Sequence, residues 1–187
     1  TRRTRQLLDE GNIAIVAGFQ GIDEQANVTT LGRGGSDTTA VAIAAAMGAD
    51  VCEIFTDVEG VYTTDPRLVQ AARKIDQISY DEMLELASVG AGVMHSRSIE
   101  FAKKFGTIIH VRHSGKEVEG TLIRPGNPDM EHVVVRGAAL QKAEARVTLL
   151  GVPDVPGVVY KLFSRIAAER VVVDMIVQNA SIDGRTE

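Results

Sequence analysis

The chain has no tryptophan, one cysteine, and only five Phe and three Tyr in 187 residues. A lone cysteine excludes a disulfide framework. Cys52 also sits inside the apolar run 51–55, which reads as a buried, inert thiol rather than a nucleophile. That usage points to a reduced, cytoplasmic setting. Positive charge is short as well: 20 Lys and Arg face 25 Asp and Glu, a formal charge of −5. Without a basic stripe interleaved with aromatics, the composition argues against nucleic-acid binding. No apolar run approaches the length of a membrane span, and the first residues lack a secretory pattern. Metal ligands are equally sparse. His110 and His113 lie three apart on a strand-like stretch, so they point to opposite faces and make no pair. His95 at a helix start reads as structural, and Asp81, Glu82 and Glu85 as a solvated helix face.

What is present is an ordinary soluble composition, 44% hydrophobic and 24% charged, long enough for one or two domains. The pattern alternates: helix over 3–10, strand 12–18, helix 36–47, strand 51–56. A turn-rich segment over 57–67 leads to a short helical run, 68–73. Helices follow over 80–89 and 96–105, then a strand over 108–112 and a hairpin-like strand over 119–123. Gly11, Gly48 and Gly106 stand where helices should stop. Strands separated by helices predict an α/β fold, a mostly parallel sheet with helices on both faces. Ligands gather at the carboxyl ends of such strands, so the loops 18–37 and 57–67 are expected to face one cleft. After the turn-rich 124–129 the texture changes: β-rich stretches at 132–136 and 146–152, an amphipathic helix over 158–169, a strand over 171–180. We therefore divide the chain into residues 1–128 and an incomplete α+β unit, 129–187.

Two segments carry the chemistry. In Leu31-Gly-Arg-Gly-Gly-Ser-Asp-Thr-Thr-Ala40, glycines let backbone approach a ligand, and Ser36 is placed to cap the following helix. The helix N-terminus then offers free N–H groups and positive potential to an anion. Arg33 adds a planar fork suited to a carboxylate. A capped surface turn is the plainer reading, but arginine and aspartate together after an apolar stretch favour the anion site. The second segment, Asp57-Val-Glu-Gly-Val-Tyr-Thr-Thr-Asp-Pro-Arg67, starts as a strand ends. It combines an aromatic ring, fixed polar groups and a cation, as a nucleotide site requires. Its plainer reading is a solvated turn.

Taken with Val16-Ala-Gly-Phe-Gln-Gly21, Ile78-Ser-Tyr-Asp-Glu82 and Glu85-Leu-Ala-Ser-Val-Gly-Ala-Gly-Val-Met-His95, these motifs resemble aspartate kinases, of the amino-acid kinase fold. The region after Arg146, with Asp154-Val-Pro-Gly157 and Val177-Gln-Asn179, resembles their first regulatory ACT module, a ferredoxin-like domain. The likeness runs through nearly the whole chain in the family's order. It implies transfer of the γ-phosphoryl of ATP, as its Mg²⁺ complex, to the β-carboxylate of L-aspartate. In that family this is the first step toward lysine, threonine and methionine.

By position, the resemblance makes Asp37 the aspartate that organises a catalytic lysine. It gives Arg33 a substrate carboxylate, with Phe19, Gly34, Gly35 and Ser36 beside the amino acid. Thr56, Asp57, Tyr62, Thr63, Thr64, Asp65, Pro66 and Arg67 fall to ATP. Asp154, Pro156, Gly157, Gln178, Asn179 and Ser181 fall to an amino-acid effector, lysine or threonine. Such sites are completed by a partner module, so a homo-oligomer or an α2β2-type assembly is implied. No protein metal site and no tightly bound cofactor is expected.

Two departures qualify the likeness. The family's N-terminal Lys-Phe-Gly-Gly-Thr-Ser segment is absent, and Gly92 stands where some relatives carry lysine. The chain begins at Thr1 within a helical pattern and stops in a turn-like stretch after a strand, so both ends are expected to be cuts in a longer protein. The piece alone is then expected to be inactive. The alternatives are a non-catalytic amino-acid-binding regulatory subunit, or a kinase acting on glutamate, acetylglutamate or uridylate.

Overall fold

The computed structural model describes residues 2–90, 92–126, 135–140, 145–173, 175–178 and 185–186. The chain forms two compact units, Thr1–Lys142 and Ala143–Glu187. The expected boundary at 128/129 falls outside the described residues. None of the described helices is long and apolar enough to cross a membrane.

The first unit runs α1 (Arg2–Asp9), β1 (Gln20–Ile22), β2 (Val28–Thr30), α2 (Gly35–Met47), β3 (Cys52–Thr56), β4 (Gln77–Ser79), α3 (Tyr80–Ser88), α4 (Ser96–Phe105), β5 (Ile109–His113) and β6 (Thr121–Arg124). Four strands make a mixed sheet in the order β3-β5-β6-β4. β3 and β5 are parallel with Cys52 opposite Ile109, β4 and β6 are parallel, and β5 and β6 are antiparallel. Alternation along the strands sends Cys52, Ile109, Val111, Thr121 and Ile123 into the core. They meet Val41 and Ala44 of α2, Tyr80 and Met83 of α3, and Ile99 and Ala102 of α4. Ile78, Met83, Ile99, Ile109 and Ile123 are fully buried, each contributing about 1.5–3 kcal/mol through apolar burial. On the other sheet face Glu53 accepts from Arg112 at 2.8 Å, beside His110.

The punctuation is legible. Gly48 and Gly106 end α2 and α4 in the left-handed region, where an L side chain would be strained. Ser79 and Glu82 form a reciprocal capping box at the start of α3.

Several expected elements differ. Residues 12–18 form no strand. Ile13 and Ile15 are 92% and 95% exposed, because no strand lies beside them among the described residues and a two-sided apolar pattern needs a ladder on each edge. The polar loop that follows contains an antiparallel hairpin, β1 with β2, in register Gln20 with Thr30. Residues 68–73 are turns rather than a helix. A run this short cannot offset helix nucleation, and it turns back so that Thr63 N–H donates to Arg73 O at 2.9 Å and Tyr62 bridges Lys74. β4 is three residues long and abuts α3, which hides its period.

The second unit holds β7 (Val152–Pro153), α5 (Val158–Ala168) and β8 (Arg185–Thr186), with β7 antiparallel to β8. The helix stands as expected. The strands over 146–152 and 171–180 do not: only Val152–Pro153 is strand, and 171–173 and 175–178 carry none. Val147, Val172 and Ile176 are 80%, 83% and 62% exposed, so their β-prone sequence has no packed face to occupy. Of the stretch 132–136, residues 132–134 lie outside the described residues and 135–136 have no regular structure.

Candidate functional site

The Gly-rich turn is built on Phe19. Its backbone adopts φ 66°, unusual for a bulky side chain. Its N–H donates to Thr39 Oγ1 at 3.2 Å, and its carbonyl accepts from Leu31 N–H at 3.1 Å. The aromatic ring covers Gly35, where a Cβ would sit 3.0 Å from Phe19 Cδ2 and 2.8 Å from Leu31 Cβ.

Ser36 is not the cap. Gly34, at φ 73°, is the N-cap residue of α2 with no side-chain cap bond, which leaves Ser36 in the first helical turn. The left-handed conformation at that position suits glycine and not serine. Gly35 N–H donates to Gly32 O, while the amides of Ser36 and Asp37 make no hydrogen bond among the described residues. Thr38 and Thr39 close the first turn, their hydroxyls donating to Gly34 O at 2.9 Å and Gly35 O at 2.7 Å. Two free N–H groups thus stand at the positive end of a thirteen-residue helix.

The connection between α3 and α4 faces this turn. His95 is the N-cap of α4, its Nδ1 accepting from Arg97 N–H at 3.3 Å, which leaves Nε2 as the ring's donor. The imidazole lies against Gly34, where a Cβ would come within 2.4 Å of His95 Cβ. Arg97 reaches back, Nη2 donating to Leu31 O at 3.2 Å and Arg33 O at 2.9 Å.

Between the two segments lies an open cavity of about 400 Å³. It is lined by Arg33, Gly34, Ser36 and Asp37 on one side, and by Ala87, Gly90, Gly92, Val93, Met94, His95 and Ser96 on the other. The Arg33 guanidinium makes no hydrogen bond or ion pair among the described residues. Burial pushes the Asp37 carboxyl upward, and the nearby His95 ring pulls it partly back. Burial, and then the Asp37 charge, push the Cys52 thiol upward, which suits a structural thiol. A cationic fork, two free amides and a half-buried carboxylate around one cavity can take an anion and hold charge beside it.

The second segment leaves the carboxyl end of β3 and is pinned locally. Ser114 N–H donates to Thr56 O, and the Thr56 hydroxyl donates to Asp57. Val61 N–H donates to the buried Thr121 hydroxyl at 2.8 Å, and Tyr62 OH donates to Glu59. Lys116 ties Glu59 across from the loop after β5 at 2.6 Å, and this pair holds the Glu59 carboxyl below and the Lys116 amine above their ordinary values. Arg67 grips Asp65 through Nε and Nη2, and Thr63 O accepts from Ala138 N–H.

None of the residues from Thr56 to Arg67 lines the cavity at Arg33. The cleft expected to join both loops is thus not this cavity, to whose described lining only the first of the two loops contributes. The stretch 12–18 is not a strand, so the first loop leaves no sheet end, and Gly90 with residues 92–96 lines the facing side. Of the first group, the structure brings Arg33, Gly34, Ser36 and Asp37 together, with Gly35 and Phe19 packed behind them. In the second unit Gly157 is the N-cap of α5 at φ 91°, following Asp154 and Pro156, and Gln178 is exposed. Asn179 and Ser181 lie outside the described residues. The sequence reading missed His95 and Arg97 as neighbours of the turn. The signal lay in the glycine needed at Gly34, but nothing in the spacing says what crowds it.

Fold and cavity define an α/β domain with a cavity at the N-terminus of one of its helices. Residues 1–113 match the model of the amino acid kinase family, well over half of the chain, and the chain belongs to that family. It is 51% identical over 187 residues to the aspartate kinase of Pseudomonas fluorescens, covering all of this chain and 45% of that protein. Among solved structures, E. coli aspartokinase III in complex with lysine and aspartate superimposes with a TM-score of 0.73 at 31% identity, over 98% of this chain and 41% of that one. The same enzyme with aspartate and ADP gives 0.72 at 31% identity, over the same shares. The chain thus spans about half the length of the relatives it matches.

Proposed function

We propose that this chain is the segment of an aspartate kinase that seats aspartate and ATP, followed by the start of an ACT regulatory module. The observation that carries the reading is the cavity at Arg33, whose guanidinium, like the amides of Ser36 and Asp37, has no hydrogen-bond partner among the described residues. Its sequence setting is half identical to an aspartate kinase throughout.

Arg33 and the turn Gly34, Gly35 and Ser36 hold a carboxylate of aspartate, with Phe19 keeping the turn in place. Asp37 orients a lysine supplied from outside this chain. Thr56, Asp57 and Tyr62, with Thr63, Thr64, Asp65, Pro66 and Arg67, hold ATP, and Mg²⁺ arrives as part of that substrate. The γ-phosphoryl passes to the β-carboxylate, giving 4-phospho-L-aspartate. Such transfers depend on positioning and charge stabilisation rather than covalent chemistry by the protein. Binding the two substrates on separate loops requires their approach in the complete enzyme. Asp154, Pro156, Gly157, Gln178, Asn179 and Ser181 take lysine or threonine, in a cytoplasmic oligomer whose modules complete each other's sites.

The test replaces the matching segment of the Pseudomonas fluorescens enzyme with these 187 residues and follows ADP release. The exchanged enzyme is expected to turn over aspartate, and the isolated chain is not. Turnover with glutamate or UMP but not aspartate would overturn the reading. Calorimetry of the exchanged enzyme with lysine and with threonine identifies the effector.

A further inference from the structure

Arg97 is not on the Gly-rich turn, yet it holds two of the turn's carbonyls. Its Nη2 donates to Leu31 O at 3.2 Å and to Arg33 O at 2.9 Å, across more than sixty residues of sequence. Its own backbone is fixed, because Arg97 N–H donates to the His95 ring and α4 starts there. That same ring lies against Gly34. The turn is therefore gripped from two sides by one helix start, the ring on Gly34 and the guanidinium on the carbonyls flanking Gly32.

We infer that Arg97 is a positioning residue for the carboxylate-binding turn. A peptide unit has its C=O and N–H on opposite sides of the chain. Pinning the carbonyls of Leu31 and Arg33 toward α4 fixes the orientation of the peptides that follow them. It thereby sets the entry into α2, whose free Ser36 and Asp37 amides belong to the cavity side. It also sets the Cα of Arg33, whose own guanidinium is left for the ligand. With three glycines among residues 32–35, the turn has wide conformational freedom. A charged donor on two of its carbonyls removes much of that freedom before the ligand arrives.

This deepens the aspartate-kinase reading and rests on it for the identity of the ligand. The position of the turn is testable without that reading. In the 187-residue chain, Arg97→Ala is expected to speed amide hydrogen exchange about tenfold at Leu31, whose N–H bonds Phe19 O, and at Gly35 and Thr38, whose N–H groups bond within the turn. Exchange along β5 stays unchanged. In the segment-exchanged enzyme the same substitution raises the KM for aspartate about tenfold, the equivalent of one net hydrogen bond. The KM for ATP stays within about twofold, because the nucleotide segment does not line this cavity. Added guanidinium ion, and in part Arg97→Lys, restore the aspartate KM, which a loss of folding would not allow. Unchanged exchange at the turn overturns the inference, as does a parallel rise of both KM values without guanidinium rescue. If the exchanged enzyme with Arg97 intact ignores aspartate, the functional reading falls and the exchange rates still decide the role of Arg97.

Discussion

The Cα of Gly34 lies against the imidazole of His95, so closely that a Cβ there would stand 2.4 Å from His95 Cβ and 2.8 Å from Cδ2. Gly34 also holds φ 73°, which costs an L residue strain of its own. Gly34→Ala must therefore move the His95 ring and with it the N-cap of α4. A loss of about 2–4 kcal/mol is expected from strain and overpacking together, read as a lower urea midpoint. Gly92→Ala is the control on the opposite wall, where a Cβ meets nothing within 4 Å. Equal stability of the two variants would refute the account of the turn.

Thr121 is fully buried and joins the segment 57–67 to the sheet. Its hydroxyl donates to Ile75 O at 2.6 Å and accepts from Val61 N–H at 2.8 Å. Thr121→Val keeps the shape and strands a buried donor and a buried acceptor, for about 2–4 kcal/mol. Thr121→Ser keeps both bonds and loses one methyl group, about 1 kcal/mol. If valine were tolerated better than serine in urea unfolding, the hydroxyl would not be holding the loop.

Asp37 offers a pH test. Burial raises its carboxyl above the ordinary value, and the side chain makes no hydrogen bond among the described residues. The native state then binds the proton more tightly than the unfolded chain. This contribution is full below the unfolded carboxylate pKa and is lost as pH rises through the raised native value. At neutral pH the ionised carboxylate is a load on the fold, so Asp37→Asn is expected to melt higher than the parent. The gap should close as the pH is lowered through about 4. A lower melting temperature for the variant at pH 7, or a gap independent of pH, would count against this. The same substitution is expected to abolish aspartate turnover in the segment-exchanged enzyme.

Local signals in the sequence were reliable where they depend on local chemistry. Gly48 and Gly106 stop their helices in the left-handed conformation that glycine takes without strain. Signals that depend on a neighbour failed when that neighbour was not among the described residues. Residues 12–18 read as a strand, but a strand is defined by its ladder, and none lies beside them among the described residues. The cap went to Gly34 rather than Ser36 because crowding by His95, sixty residues on, decides the turn, and no period in the sequence carries that contact. The short β4 was hidden for a related reason, since three residues are too few to show alternation.

Gly92 gives the last prediction. It lines the cavity opposite Arg33, and a Cβ there would meet none of the described residues within 4 Å. A long cationic side chain there reaches into the cavity without displacing an existing group. The cavity already holds the Arg33 charge beside a raised carboxylate at Asp37. A lysine amine entering it should draw the Asp37 carboxyl back down and stabilise the negative charge of a transferring phosphoryl group. Gly92→Lys in the segment-exchanged enzyme is therefore expected to raise kcat by about three- to tenfold, while Gly92→Gln does not. Salt separates the electrostatic effect from a packing effect: the gain should shrink as ionic strength rises. If lysine and glutamine behave alike, the wall at Gly92 faces neither phosphate nor Asp37, and the nucleotide approaches from elsewhere.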